Sequence, residues 1–85
     1  MKSFSYVIND ELGLHARPAG MLAKEAKKFS SKITITKEGK TVSATQLMMI
    51  MSLGLKKGAE VTVEADGEDE AEAIAAIENF FKENL

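Results

Sequence analysis

The spacing of hydrophobic residues switches between two periods along the chain, and each period predicts a type of element. Phe4, Tyr6 and Ile8 alternate with polar residues, which is typical of a strand with one buried face. After Pro18, hydrophobic residues recur every three or four positions as far as Phe29, which is the pattern of an amphipathic helix. We therefore expect a first strand followed by a first helix, with the proline marking the helix start.

The rest of the chain continues this alternation of strands and helices. Hydrophobic and polar residues alternate over 32–44, on both sides of Glu38–Gly39, which predicts a hairpin. Residues 46–53 predict a short helix, 60–65 a strand and 66–85 a closing helix. The buried positions expected on the closing helix are Ala71, Ile74, Ile77 and Phe81. The order β-α-β-β-α-β-α predicts an α+β fold in which helices cover one face of an antiparallel sheet.

Composition limits the classes of protein to which this chain can belong. Eighty-five residues allow one hydrophobic core, so we expect a single domain over residues 1–85. A formal net charge of −2 gives no basic surface for nucleic acid. The absence of cysteine excludes disulfides and thiolate metal sites and suits a reducing compartment. No apolar run approaches the length of a membrane span, so we expect a cytoplasmic protein without membrane insertion.

The only histidine and the only proline lie together in "GLHARPAG", residues 13–20. With Pro18 in the first helical turn, His15 lies just before the helix, where backbone N–H groups have no partner and the helix dipole is positive. We expect these donors to be the N–H groups of Ala16, Arg17 and Ala19. The guanidinium of Arg17 adds a charged fork that suits phosphate oxygens, so the sequence predicts an anion site.

The chemistry that one histidine can perform at such a site is narrow. One histidine without cysteine supports neither a nucleophile triad nor a metal site. A neutral imidazole ring keeps the lone pair that attacks a phosphoryl group. A chain this short offers little room for a substrate pocket, so we expect no enzyme and no cofactor. These residues leave two alternatives, a phosphohistidine carrier and an anion-sensing binding module.

A second feature is the run of five hydrophobic residues at 47–51 in the short helix. At about 3.6 residues per turn they cannot all face one core. Leu47, Ile50 and Met51 share much of one side, and Met48 and Met49 point elsewhere. The run indicates an exposed docking patch, and the alternative is that flexible methionines fill an irregular gap in the core.

A basic stripe accompanies this patch on the first helix. Arg17, Lys24 and either Lys27 or Lys28 recur at near-heptad spacing, which favours attraction of acidic partners, although an ordinary solvated face has the same pattern. Gly20 costs about 1 kcal/mol of helix stability relative to alanine and would give an approaching surface clearance.

Three segments resemble one known family. "GLHARPAG" at 13–20, "GKTVSATQLMMIMSLGLKKGAEV" at 39–61 and "DGEDEAEA" at 66–73 are similar to the HPr family, the histidine-containing phosphocarriers of the bacterial phosphoenolpyruvate:sugar phosphotransferase system (PTS). The resemblance spans the whole chain without gaps. It implies an open-faced β-sandwich, with a four-stranded antiparallel sheet and three helices on one side.

The resemblance also implies partners and site residues. His15 would accept a phosphoryl group at Nδ1 from phosphorylated Enzyme I and pass it to IIA domains of sugar permeases. Arg17 and the backbone at Ala16 would surround that group. The positions that match the family's partner-binding surface are Gly20, Leu47, Met48 and Met51, and the basic stripe adds Lys24 and Lys27. A regulatory relay, of the nitrogen-related or metabolic kind, is an alternative to sugar transport, and we expect a monomer.

One position departs from the family pattern. Many Gram-positive members carry a serine at the start of the second helix, which a kinase phosphorylates to signal catabolite repression, whereas this chain has Gln46. Glutamine has no hydroxyl, so we do not expect that control here. Thr45 is one residue early and would aim its hydroxyl differently, and Ser43 is the other nearby hydroxyl.

Overall fold

The computed structural model describes residues 1–85 and contains four strands and three helices. The strands are β1 (Lys2–Val7), β2 (Lys32–Lys37), β3 (Lys40–Ser43) and β4 (Glu60–Asp66), and the helices are α1 (Ala16–Ala26), α2 (Leu47–Ser52) and α3 (Glu70–Asn84). The predicted order β-α-β-β-α-β-α is confirmed. None of the helices has the length and apolar composition that crossing a lipid bilayer would need.

The strands form one antiparallel sheet in the order β1-β4-β2-β3. The register aligns Phe4 with Val63, Val63 with Ile35, and Ile35 with Val42, so one row of hydrophobic side chains crosses the sheet. Helices cover this face and the core lies between the two layers. The next row places hydroxyl groups on the opposite face, where the Thr36 and Thr41 hydroxyls lie 2.8 Å apart. Alternation along each strand therefore separates a buried face from an open one.

Helix α1 differs from the prediction at both ends. It begins at Ala16, two residues before Pro18, and it ends at Ala26 rather than Phe29. Proline is compatible with this position because residues in the first helical turn do not use their N–H groups. Half-buried Phe29 packs against the core from the turn that follows the helix.

Helix α3 buries a face that the pattern did not fully predict. Ile77 and Phe81 are buried as expected, but Ala71 is exposed and Ala73 and Phe80 are buried instead. The physical reason is size, because the buried face is the one that places the large Phe80 and Phe81 rings inward, and alanines fit on either face. The ring of Phe81 contacts the rings of Phe4 and Tyr6 edge-on, at centroid distances of 5.6 and 5.5 Å.

Helix α2 is held by the hairpin between β2 and β3. The hairpin turns through Glu38 and Gly39, which have φ values of 49° and 82°, as the two-residue turn requires. Lys37, the last residue of β2, donates from Nζ to the carbonyl oxygens of Leu53 (3.1 Å) and Gly54 (3.2 Å). These carbonyls follow the last turn of α2, so a cation stabilises the negative end of the helix dipole.

The turn before α3 is joined to the turn after α1. The Asp69 carboxylate accepts hydrogen bonds from the N–H groups of Ser30 and Ser31, each at 2.9 Å, and from the Ser31 hydroxyl. These hydrogen bonds, above all the one from the Ser31 hydroxyl, lower the pKa of Asp69. Gly67 allows this close approach, because a Cβ there would lie 2.7 Å from Ser31.

Candidate functional site

His15 is the residue immediately before α1, at its N-cap position. Its backbone is extended, with φ −100° and ψ −170°, and its carbonyl oxygen accepts the N–H of Ala19 at 3.0 Å. The ring is exposed and makes no hydrogen bond with the protein. The imidazole is therefore open to a reacting group.

The donors at this helix terminus are fewer than the sequence predicted. The N–H of Ala19 is used inside the helix, so its inclusion in the anion site was wrong. Pro18 has no N–H, which leaves those of Ala16 and Arg17 without a backbone acceptor. Two backbone donors at the positive end of the dipole lie next to the histidine.

Arg17 is the charged side chain of the site. It is exposed, and its guanidinium forms neither an ion pair nor a hydrogen bond within the protein. His15 and Arg17 line one shallow depression of about 340 Å³, together with Asp10 and Asn84. The structure thus brings the predicted histidine and arginine together at an open surface, where an anion can meet the guanidinium and the helix terminus at once.

The depression has walls that the sequence analysis missed. Asp10 lies in the segment "NDELG", whose composition indicated only a turn. Asn84 comes from the end of α3, and no signal in the sequence links it with His15. Leu12 and Met21 also line the depression, and both are exposed.

Only one residue in the hydrophobic run of α2 belongs to the core. Ile50 is fully buried, whereas Leu47, Met48 and Met51 are 38%, 74% and 38% exposed. Leu47 and Met51, which the spacing grouped with Ile50, are less exposed than Met48 and Met49 and border the buried face formed by Ile50. Exposure of its neighbours favours the docking patch over the gap-filling alternative.

The exposed part of α2 lies beside α1. Gly20, Lys24 and Lys27 line a groove of about 450 Å³ whose other wall includes Leu47 and Met48. Nothing lies within 4 Å of the position of a Cβ at Gly20, so the groove is open there. Met51 does not line this groove. A hydrophobic surface edged by lysines results.

Gln46 precedes α2 as its N-cap, and its side chain makes no capping hydrogen bond. The hydroxyls of Ser43 and Thr45 lie 2.9 Å apart and contact each other. Nowhere do three or more histidine, cysteine, aspartate or glutamate residues lie together as potential metal ligands.

Comparison with known proteins supplies the family. The model of the family described as "PTS HPr component phosphorylation site" matches residues 2–83. The chain belongs to the HPr family. A phosphocarrier protein HPr of Mycoplasma capricolum subsp. capricolum is 51% identical over 77 residues, covering 91% of this chain and 86% of that protein.

Solved structures of HPr proteins have the same fold. A histidine-containing phosphocarrier protein of Mycoplasma gives a TM-score of 0.93 at 46% identity, over 96% of this chain and 93% of the other. HPr from Thermoanaerobacter tengcongensis gives 0.92 at 44% identity, over 96% of this chain and 92% of the other. The predicted open sheet with three helices on one face is confirmed.

The family also establishes what kind of protein this is. As an HPr, the chain is a phosphocarrier of the PTS and not a stand-alone enzyme. The family implies PTS partners such as Enzyme I and IIA domains. The predicted carrier function is therefore confirmed, and a binding module without a covalent step is set aside.

Proposed function

We propose that His15 is the residue that carries the phosphoryl group. The observation that carries this proposal is the state of its ring, which is exposed, free of hydrogen bonds and placed at the positive end of α1. The chain has no other histidine. The lone pair of Nδ1 attacks phosphorus and forms a P–N bond. The bond from phosphorus to Enzyme I breaks, and its electron pair stays with Enzyme I.

Nδ1 is the ring nitrogen favoured by the position of the donors. It lies next to Cγ, close to the main chain, whereas Nε2 lies at the far edge of the imidazole. A phosphoryl group on Nδ1 is therefore nearer to the N–H groups of Ala16 and Arg17, which have no backbone acceptor. The Arg17 guanidinium donates to the same oxygens and opposes their charge.

The openness of the site suits a carrier. Two N–H groups and one cation stabilise the phosphoryl group without enclosing it, so the group remains available to the next acceptor. Tighter binding would stabilise the phosphorylated carrier relative to the transition state, and onward transfer would be slower.

Enzyme I and IIA domains are proposed to dock on the surface formed by α1 and α2. Its hydrophobic part consists of Leu47, Met48 and Met51, whose exposure supports contact with a partner. Lys24 and Lys27 edge this surface and favour partners with acidic rims, since complementary charge raises the association rate. Gly20 leaves space for the approaching surface.

The carrier is further proposed to act in the cytoplasm as a monomer with one domain over residues 1–85. One continuous core of 21 buried residues supports the single domain. An HPr from Thermoanaerobacter tengcongensis is described as a dimer, so the oligomeric state is tested by light scattering after gel filtration. Because Gln46 has no hydroxyl, no kinase site is assigned to that position.

The decisive experiment incubates the protein with Enzyme I and phosphoenolpyruvate and measures intact mass. We expect the mass of one phosphate, labile in acid and stable in alkali, and we expect none in His15→Ala. Retention of the phosphate by His15→Ala would refute the assignment. Adding a sugar-specific IIA domain should remove the phosphate. If only a regulatory IIA domain removed it, the chain would serve a regulatory relay instead of sugar transport.

The docking surface has its own test. Met48→Ala should weaken binding of Enzyme I about tenfold, because a 74% exposed side chain at the edge of the groove would be buried by the partner. Val7→Ala is the matched control, since Val7 is 53% exposed but lies on β1, outside the groove. Equal loss in both variants would contradict the proposed surface.

A further inference from the structure

The loop between β1 and α1 carries His15, and hydrogen bonds to two other parts of the chain fix the two ends of its backbone. At its start, the N–H groups of Asn9 and Asp10 donate to the carbonyl oxygen of Leu85, at 2.5 and 2.6 Å. At its end, the N–H of Leu14 donates to the carbonyl oxygen of Leu55 at 2.8 Å. Between these anchors the loop depends on bonds within itself.

Asp10 supplies the acceptors for that middle part. Its Oδ2 accepts the N–H of Leu12 at 3.0 Å, and its carbonyl oxygen accepts the N–H of Gly13 at 3.0 Å. An aspartate that bonds the backbone two residues ahead stabilises a turn against its alternatives. Asp10 is the residue of this loop that both donates an anchor bond from its N–H and provides two acceptors.

The turn matters because Gly13 sets the direction in which the chain enters α1. Its φ is +66°, and a Cβ at this position would lie 2.3 Å from the carbonyl oxygen of Leu55. Glycine reaches many other conformations at little cost, so something outside the residue must hold it in this one. The two bonds to Asp10 hold the chain before and at Gly13, and the bond from Leu14 to Leu55 holds the residue after it.

His15 has no independent means of holding its position. Its ring makes no hydrogen bond with the protein, so the place of Nδ1 follows from the backbone that precedes it. A reacting atom displaced by about 1 Å can lose about a hundredfold in rate, and a smaller displacement costs proportionately less. The Asp10 side chain also lines the depression that contains His15.

We propose that Asp10 is a positioning residue for phosphoryl transfer, because the turn it closes over residues 10–13 places the ring of His15 against its reaction partners. This inference rests on the proposed role of His15. Asp10 does not touch the phosphoryl group in this account, and it acts through the backbone of the loop.

The test compares three variants in transfer from phosphorylated Enzyme I. Asp10→Ala removes the side-chain acceptor and should lower kcat about tenfold. Its KM should stay unchanged, because the surface of α1 and α2 is intact. Asp10→Asn keeps an oxygen that can accept from Leu12 and should recover kcat to within about threefold of the wild type. Glu11→Gln is the control, since Glu11 is exposed, makes no hydrogen bond or ion pair, and carries the same charge next to Asp10.

A second measurement separates positioning from loss of folding. Asp10→Ala should speed amide hydrogen exchange at Leu12 about tenfold and leave exchange in β4 unchanged. Wild-type kcat in Asp10→Ala would overturn the inference, and so would an Asp10→Asn variant as slow as Asp10→Ala, because charge would then be responsible. A change in KM alone would indicate docking and overturn it equally. Retention of the phosphate in His15→Ala would refute the proposed function instead, whatever the Asp10 variants do.

Discussion

Reversing the charge of Arg17 should change stability and phosphoryl transfer in opposite directions. Arg17 lies in the first turn of α1, a turn that contains no acidic residue, and its guanidinium has no partner in the protein. A positive charge at the positive end of a helix dipole is unfavourable. Arg17→Glu replaces it with a favourable charge, so the variant should be more stable than the wild type by about 0.5 to 1 kcal/mol at low salt. In an 85-residue domain this raises Tm by roughly 2–8 °C.

Phosphoryl transfer should change in the opposite direction. Two unit charges about 4 Å apart interact by about 1 kcal/mol in water and about 4 kcal/mol near a protein surface. We take about 2 kcal/mol for the attraction between Arg17 and the phosphoryl group, because the site is open and a partner covers it during transfer. Loss of the charge in Arg17→Gln should then slow transfer roughly thirtyfold. Reversal in Arg17→Glu doubles the energy, so transfer should slow roughly a thousandfold.

The assay measures Tm by calorimetry and kcat/KM for transfer from Enzyme I on the same preparations. Lys32→Glu is the matched charge reversal. Exposed Lys32 lies opposite Asp66 in the sheet register, at the last residue of β4. The first residue of β4 lies opposite Val7, which precedes the His15 loop, so Lys32 is at the far end of the sheet from the site. The Lys32→Glu variant should transfer at nearly the wild-type rate. If Arg17→Glu transferred as fast as Lys32→Glu, or if its Tm fell as its rate fell, the role given to Arg17 would be wrong.

Three further predictions concern interactions that stabilise the fold. Because hydrogen bonds lower the pKa of Asp69, its carboxylate stabilises the fold above its unfolded pKa, and this contribution is lost as pH falls through the folded pKa. In urea unfolding, Asp69→Asn should therefore be less stable than wild type at pH 7, and the difference in the free energy of unfolding should shrink in acid. Glu68→Gln is the control. A difference that does not depend on pH would contradict the role given to Asp69. Lys37→Met should cost about 1–2 kcal/mol in thermal unfolding, since it leaves two carbonyls after α2 without their donor, and an unchanged Tm would show that water replaces it. Ile50→Ala should cost about 2–5 kcal/mol, whereas Met48→Ala should cost less than about 0.5 kcal/mol, and similar losses would mean that the faces of α2 are misassigned.

Much of the fold could be predicted because its elements differ in hydrophobic period. The strands alternate strictly, so the inward positions of β2, β3 and β4 followed from the sequence, as did the hairpin at Glu38 and Gly39. The face of α3 could not be predicted fully, because alanines on several sides of the helix weaken the pattern. Ala71 fitted the stripe but is exposed, and Phe80 is buried because the core has room for a second ring beside Phe81.

The candidate site was partly predictable for a similar reason. His15 and Arg17 are neighbours in sequence, and Pro18 marks the first helical turn, so their meeting at a helix start follows from local rules. The walls of the depression depend on contacts between residues far apart in the chain. Asn84 lines the same depression as His15 because the end of α3 lies against the loop after β1, where Leu85 accepts two backbone hydrogen bonds. A pattern within one segment contains no information about such a contact.

The central claim is that one imidazole, at the start of α1, carries the phosphoryl group on the nitrogen nearest the main chain. The most direct measurement is long-range ¹H–¹⁵N NMR of the protein after phosphorylation by Enzyme I and phosphoenolpyruvate, because it distinguishes the two ring nitrogens of His15. We expect the phosphate on Nδ1 of His15. Phosphate on Nε2, or on any other residue, would contradict the account.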